Sequence, residues 1–131
     1  MSVLADTSVW IDYLNRGARG PAAPLDLLLH RGEVVMCGPV ASEIVAGTPT
    51  DQRSDIWSLF VGLSWIEHDR AHWWEVGLAS SALSRLGRHV PLPDVSIAVA
   101  AVEAGAELWT HDTDFDQIAA VLPALRRFQP A

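Results

Sequence analysis

Short apolar runs, too brief to be helices, recur along this chain, and each is followed by a stretch with helical periodicity. Ser2–Ala5, Glu33–Cys37, Ser64–Glu67 and Glu107–Thr110 read as strands, and Leu125–Phe128 as a weak final one. Between them Thr7 caps a predicted helix through Asn15, and Leu25–Leu29 forms part of a second. Further helices are predicted at about Pro39–Ala46, about Asp51–Val61, from Asp69 or Arg70 to about Leu86, at Asp94–Ala104 closed by Gly105, and at Asp114–Val121. Glycine and proline break the chain at Gly17, Gly20, Pro21, Pro24, Gly47-Thr48-Pro49, Pro91 and Pro93. Strands that alternate with helices and are apolar on both faces belong in a parallel sheet covered on both sides. The expectation is one three-layer α/β/α domain over residues 1–131.

In such sheets the chemistry sits beyond the carboxyl ends of the strands, which gives four acids from distant segments one address. Asp6 follows the first strand, Glu43 lies in the helix after the second, Asp94 opens the apolar helix before the fourth, and Asp112 follows the fourth, with Asp114 two residues on. Each has an ordinary explanation when taken alone. Asp6 and Asp94 sit where helix caps occur. Glu43 could lie on a solvated face, and at least one of Asp112, Asp114 and Asp116 is expected to be plain surface. Together they make a different case. Hard divalent cations take oxygen ligands, and paired ions about 3.5–4 Å apart cleave phosphodiesters by activating water and stabilising the leaving oxygen.

The formal charge of −7 weighs against tight non-specific binding of nucleic acid. Carboxylates that bind metal inflate that count, and the ion reverses the local sign. All nine basic residues are arginine, the better bidentate phosphate ligand. Arg16, Arg19, Arg85 and Arg88 flank the acidic segments and are candidate phosphate contacts. The N-terminus has no basic segment followed by a long apolar run, so a cytoplasmic protein with no membrane span is expected. Cys37 is expected to be a small buried hydrophobe.

Leu4-Ala5-Asp6-Thr7-Ser8-Val9-Trp10-Ile11, Ser42-Glu43-Ile44, Pro93-Asp94-Val95-Ser96-Ile97-Ala98 and Leu108-Trp109-Thr110-His111-Asp112-Thr113-Asp114-Phe115 resemble, in order and spacing, the segments of PIN-domain nucleases. Among these the chain is most similar to the VapC toxins of type II toxin–antitoxin pairs. The resemblance implies Mg²⁺- or Mn²⁺-dependent endoribonuclease activity. It also implies Asp6, Glu43, Asp94 and Asp112 as the core catalytic and metal-binding acids, and Asp114 as an auxiliary ligand. Thr7 or Ser8 would bond to the metal shell. It further implies a homodimer and a small basic VapB-like antitoxin, for which the helices around Trp57 and Trp73 are candidate groove walls.

Other residues carry less. The five histidines lack the spacing of a zinc site, although His68 and His72 are four apart. Trp57, Trp65, Trp73 and Trp74 could stack on RNA bases, with core packing or a protein interface the plainer expectation. His111 adjoins Asp112 and is expected to be structural. A phospho-receiver domain would need a lysine, and the chain has none. An aspartate-nucleophile phosphatase would want an Asp where Ser8 stands. A nuclease of the same fold acting on DNA or in housekeeping RNA processing, and a non-catalytic interaction module, are the surviving alternatives.

Overall fold

Val3, Leu4 and Ala5 have no solvent exposure. Successive residues of a strand point to opposite faces, so this strand, β1, is covered on both sides. The computed structural model describes residues 1–130, and within it β1 (Val3–Ala5) lies at the middle of a five-stranded, all-parallel sheet. The other strands are β2 (Val34–Cys37), β3 (Ser64–Ile66), β4 (Glu107–Trp109) and β5 (Arg126–Arg127). Their order is β3-β2-β1-β4-β5. In register, Leu4 lies opposite Val35 on one side and Leu108 on the other. The chain runs outward from β1 through β2 to β3, then crosses back to β4 and β5. The strand order therefore reverses between β1 and β4, the place where ligands bind in sheets of this kind.

Seven α-helices connect and flank the strands: α1 (Thr7–Arg16), α2 (Pro24–His30), α3 (Gly38–Gly47), α4 (Arg53–Val61), α5 (Arg70–Arg85), α6 (Leu92–Ala104) and α7 (Asp114–Ala119). Short 3-10 turns follow α1 and precede α4. The expected α/β/α arrangement is present. The core joins Leu4, Met36 and Leu108 of the sheet to Trp10, Leu25, Phe60, Leu83, Ile97 and Ile118 of the helices.

Two differences from the sequence expectation bear on the site. Thr7 is inside α1 and does not cap it. The cap is Asp6, which is extended and accepts a bond from the Val9 amide at 3.3 Å. Asp94 is not a cap either. Its helix starts at Leu92 with Pro93 in the first turn, where a proline loses no helical hydrogen bond because that amide has no partner in the helix anyway. The carboxylate of Asp94 is thereby left free for other work. Gly105 does close α6, in the left-handed conformation (φ 63°) that glycine adopts without strain.

The tryptophans divide into two groups. Trp10 and Trp109 are buried, while Trp57, Trp73 and Trp74 are about half exposed or more, which argues against core packing for these three. Cys37 is buried as expected, and burial pushes its thiol up to about 12. No helix among the described residues is long and apolar enough to cross a membrane.

Candidate metal centre

Asp6 leaves the end of β1 almost fully buried, with 4 % of its surface exposed. A buried carboxylate needs partners on both oxygens, and this one has them. Oδ1 accepts from the Ser8 hydroxyl at 2.6 Å and from the Val9 amide, and Oδ2 accepts from the Thr110 hydroxyl at 2.5 Å. Thr110 directly follows β4, so this bond crosses the point where the strand order reverses.

Thr110 also shapes the loop that follows. Its Oγ1 accepts from the Asp112 amide at 2.9 Å, and Oδ1 of Asp112 accepts from the Asp114 amide at 2.9 Å. Side chains that bond the backbone two residues on make tight turns of this type. The Ser8 hydroxyl accepts from the His111 amide at 3.1 Å, tying the same loop to α1. His111 thus has a structural part through its backbone, while its side chain is exposed.

Asp94, Asp112 and Asp114 each offer a carboxylate oxygen, and these oxygens all lie within 4.8 Å of one another. Asp6 and Glu43 stand outside this triad but act on it through charge. Burial and then the neighbouring Asp112, Glu43, Asp6 and Asp114 push the Asp94 carboxyl up to about 6. Glu43 is exposed on α3, and its Oε1 accepts from the Thr7 hydroxyl at 3.0 Å. All five acids expected from sequence therefore meet in one neighbourhood, and Asp114 is among the three whose oxygens lie nearest one another. Asp116 is the surface acid of the loop, paired with Arg127 at 2.9 Å. Thr7 and Ser8, singled out in sequence as partners of the metal shell, both bond to these acids, while the part of Thr110 was not legible from its segment.

The donor set suits a hard divalent ion. It is all oxygen, partly open to water, and under a mutual repulsion that a cation would relieve. His72 does not compete as a ligand. His72 is buried, its Nδ1 meets Glu103 and its Nε2 lies 2.8 Å from the Ser96 hydroxyl, so both ring nitrogens are in use. Of the candidate phosphate-binding arginines, Arg16 pairs with Asp12 at 3.4 Å and Arg85 contacts the Ser81 hydroxyl at 3.4 Å. Trp57 and Trp73 line separate cavities.

A family model described as PIN domain matches residues 3–121. No curated protein matches the chain. Among solved structures, VapBC2 from Rickettsia felis bound to a DNA fragment from its promoter is similar at a TM-score of 0.75 and 19% identity, covering 98% of both chains. DNA-bound VapBC from Salmonella typhimurium gives a TM-score of 0.75 and 18% identity over 98% of this chain and 97% of that one. VapBC-5 from Mycobacterium tuberculosis, a member of the VapBC family of toxin–antitoxin systems, gives 0.60 and 22%, covering 98% of this chain and 100% of that one. At these identities the likeness establishes the shared fold.

Proposed function

Since the chain belongs to the PIN-domain family, we propose that it is the toxin of a toxin–antitoxin pair and cuts RNA as a Mg²⁺- or Mn²⁺-dependent endoribonuclease. The observation that carries this is the meeting of Asp94, Asp112 and Asp114 within 4.8 Å at the switch point of the sheet. Asp94, Asp112 and Asp114 would hold the ion, with Asp6 and Glu43 completing the acidic surround. A bound divalent ion supplies a water nucleophile at neutral pH and stabilises the leaving oxygen of the phosphodiester.

The chain's own residues do the rest. Ser8, the Val9 amide and Thr110 fix the Asp6 carboxylate so that it does not turn away. The Thr110–Asp114 turn presents Asp112 and Asp114 without rearrangement, the preorganisation that electrostatic catalysis requires. Thr7 orients Glu43.

A toxin of this kind is held in check by a cytoplasmic partner, and the similarity to VapBC structures supports one. Its chemistry follows from the surface it must cover. A cavity of about 260 Å³ walled by Ile11, Leu14, Ile44 and Ile56 reaches Glu43. An extended apolar segment suits that wall, and a basic side chain beside it would compete with metal for the carboxylates. A homodimer belongs to the same reading, since a two-fold pair could set two acidic sites along one groove and pool arginines from both chains.

The purified chain should cut single-stranded RNA with Mg²⁺ and stop on addition of EDTA. Asp94→Asn should abolish cleavage and relieve growth arrest in cells expressing the chain alone. Full activity of Asp94→Asn, or cleavage indifferent to EDTA, would overturn the proposal.

A further inference from the structure

Beside the acidic site lies a cavity of about 440 Å³ whose lining includes Pro39, Glu43, His68, Trp73, Leu92 and Pro93. Its volume is in the range of small-ligand pockets. Glu43 belongs to both the cavity and the carboxylate cluster, and Pro93 immediately precedes Asp94, so the two are continuous. Apart from Glu43 and two serines the lining is rings and aliphatic carbon.

The aromatic part of the wall is braced from behind. His72 is held by Ser96 and Glu103. His68 stacks on it with ring centroids 3.9 Å apart and planes 28° apart, and the Trp73 ring meets His68 at 5.7 Å. Burial, followed by the neighbouring His72, lowers the pKa of His68, and both its ring nitrogens are buried without a partner among the described residues. The wall is thus an uncharged π-surface on a fixed support. Trp73 remains 53 % exposed.

We propose that this cavity seats the nucleobase next to the scissile phosphate, held by stacking on Trp73 and His68. The inference rests on the ribonuclease function proposed above and adds to it how the substrate is gripped. A chain carrying −7 charges gains little from general attraction to phosphate. A neutral base has no such penalty, and stacking is open to all four bases because each has a π-face. The cavity adjoins the carboxylates through Glu43, so a base beside a phosphate held there would lie within reach of this wall.

The test pairs protein and substrate deletions on an RNA oligonucleotide whose cut site has been mapped from fragment ends. Trp73→Ala should lower kcat/KM about five- to a hundredfold, as expected for one stacked base. On oligonucleotides carrying an abasic residue at successive positions around the cut, one position should erase the difference between Trp73→Ala and the parent. His68→Ala should show the same position-specific coupling, and a control, Trp74→Ala, should cut like the parent because Trp74 lies outside the cavity. Losses that stay multiplicative at every abasic position overturn the base seat while leaving the ribonuclease function standing. Losses in Trp73→Ala and Trp74→Ala that track a change in oligomeric mass overturn it in favour of an interface between copies. A parent chain that cuts no RNA overturns the ribonuclease function and the seat with it.

Discussion

The Thr110 hydroxyl donates to Oδ2 of Asp6 at 2.5 Å across 104 residues of sequence. It joins the ends of β1 and β4 where the strand order turns, and the same oxygen accepts the amide of Asp112. One hydroxyl therefore fixes a buried carboxylate and starts the turn that carries two more.

Thr110→Val should expose this double role. The substitution keeps the shape and removes a hydrogen bond to a charged group, worth about 1.5–3 kcal/mol. Urea denaturation should show a loss of that size, and RNA cleavage should fall at least tenfold. Thr110→Ser should recover most of both. Equal stability of the valine variant and the parent would mean that the latch contributes nothing.

Asp94 sets the pH response of the metal-free fold. Its carboxyl rises from an ordinary 3.8 to about 6, so folding favours the protonated form. The stability it contributes is full below about pH 4 and is lost as pH rises through about 6. The side chain is partly open, and solvent screening brings the effect to about 1 kcal/mol. In EDTA at about pH 7, Asp94→Asn should melt higher than the parent by about 3–5 °C. The difference should vanish near pH 4.

Divalent metal should stabilise the parent more than variants that lack one of the clustered acids. At about a hundred times its dissociation constant, Mg²⁺ should stabilise the parent by roughly 2.7 kcal/mol. Asp94→Asn and Asp112→Asn should show a much smaller gain. A calorimetric scan of the parent unchanged by Mg²⁺ would remove the basis for a metal site.

His72 is predicted to matter for stability out of proportion to its chemistry. Replacement by Phe keeps a ring but leaves Ser96 and Glu103 without their partner. The expected cost is about 2–4 kcal/mol by denaturant titration. A double substitution with Glu103→Gln should cost less than the sum of the two, since both act on one contact.

Much of this was legible from sequence because two periodicities separate cleanly along the chain. Val3-Leu4-Ala5 and Val34–Cys37 are too short and too apolar for anything but buried parallel strands, and they place Asp6 and α3 with little ambiguity. The family resemblance then brought Asp94 and Asp112 to the same edge. What stayed hidden depends on direction and not on pattern. Pro93 looks like a break, and only the start of α6 at Leu92 turns Asp94 from a cap into an uncommitted carboxylate. The central position of Asp114 arises from its amide bonding to Asp112, a turn that no spacing rule encodes. Trp73 and Trp10 are the same residue type in helices of similar composition, and one is exposed and the other buried because of what packs over them.

The pairing of β1 with β4 has a consequence for how the molecule is made. Synthesis delivers Asp6 early and Thr110, Asp112 and Asp114 only after nearly all the sheet has emerged. Until then β1 lacks one of its two neighbours, and the carboxylate triad has only Asp94. Long-range pairings of this kind form late because the intervening chain must first be ordered. On the proposed function, a nascent or stalled polypeptide that lacks this pairing should leave nucleic acid uncut, including the messenger from which it is being read. Cleavage would then begin only on release, when the proposed inhibitor can meet a finished surface.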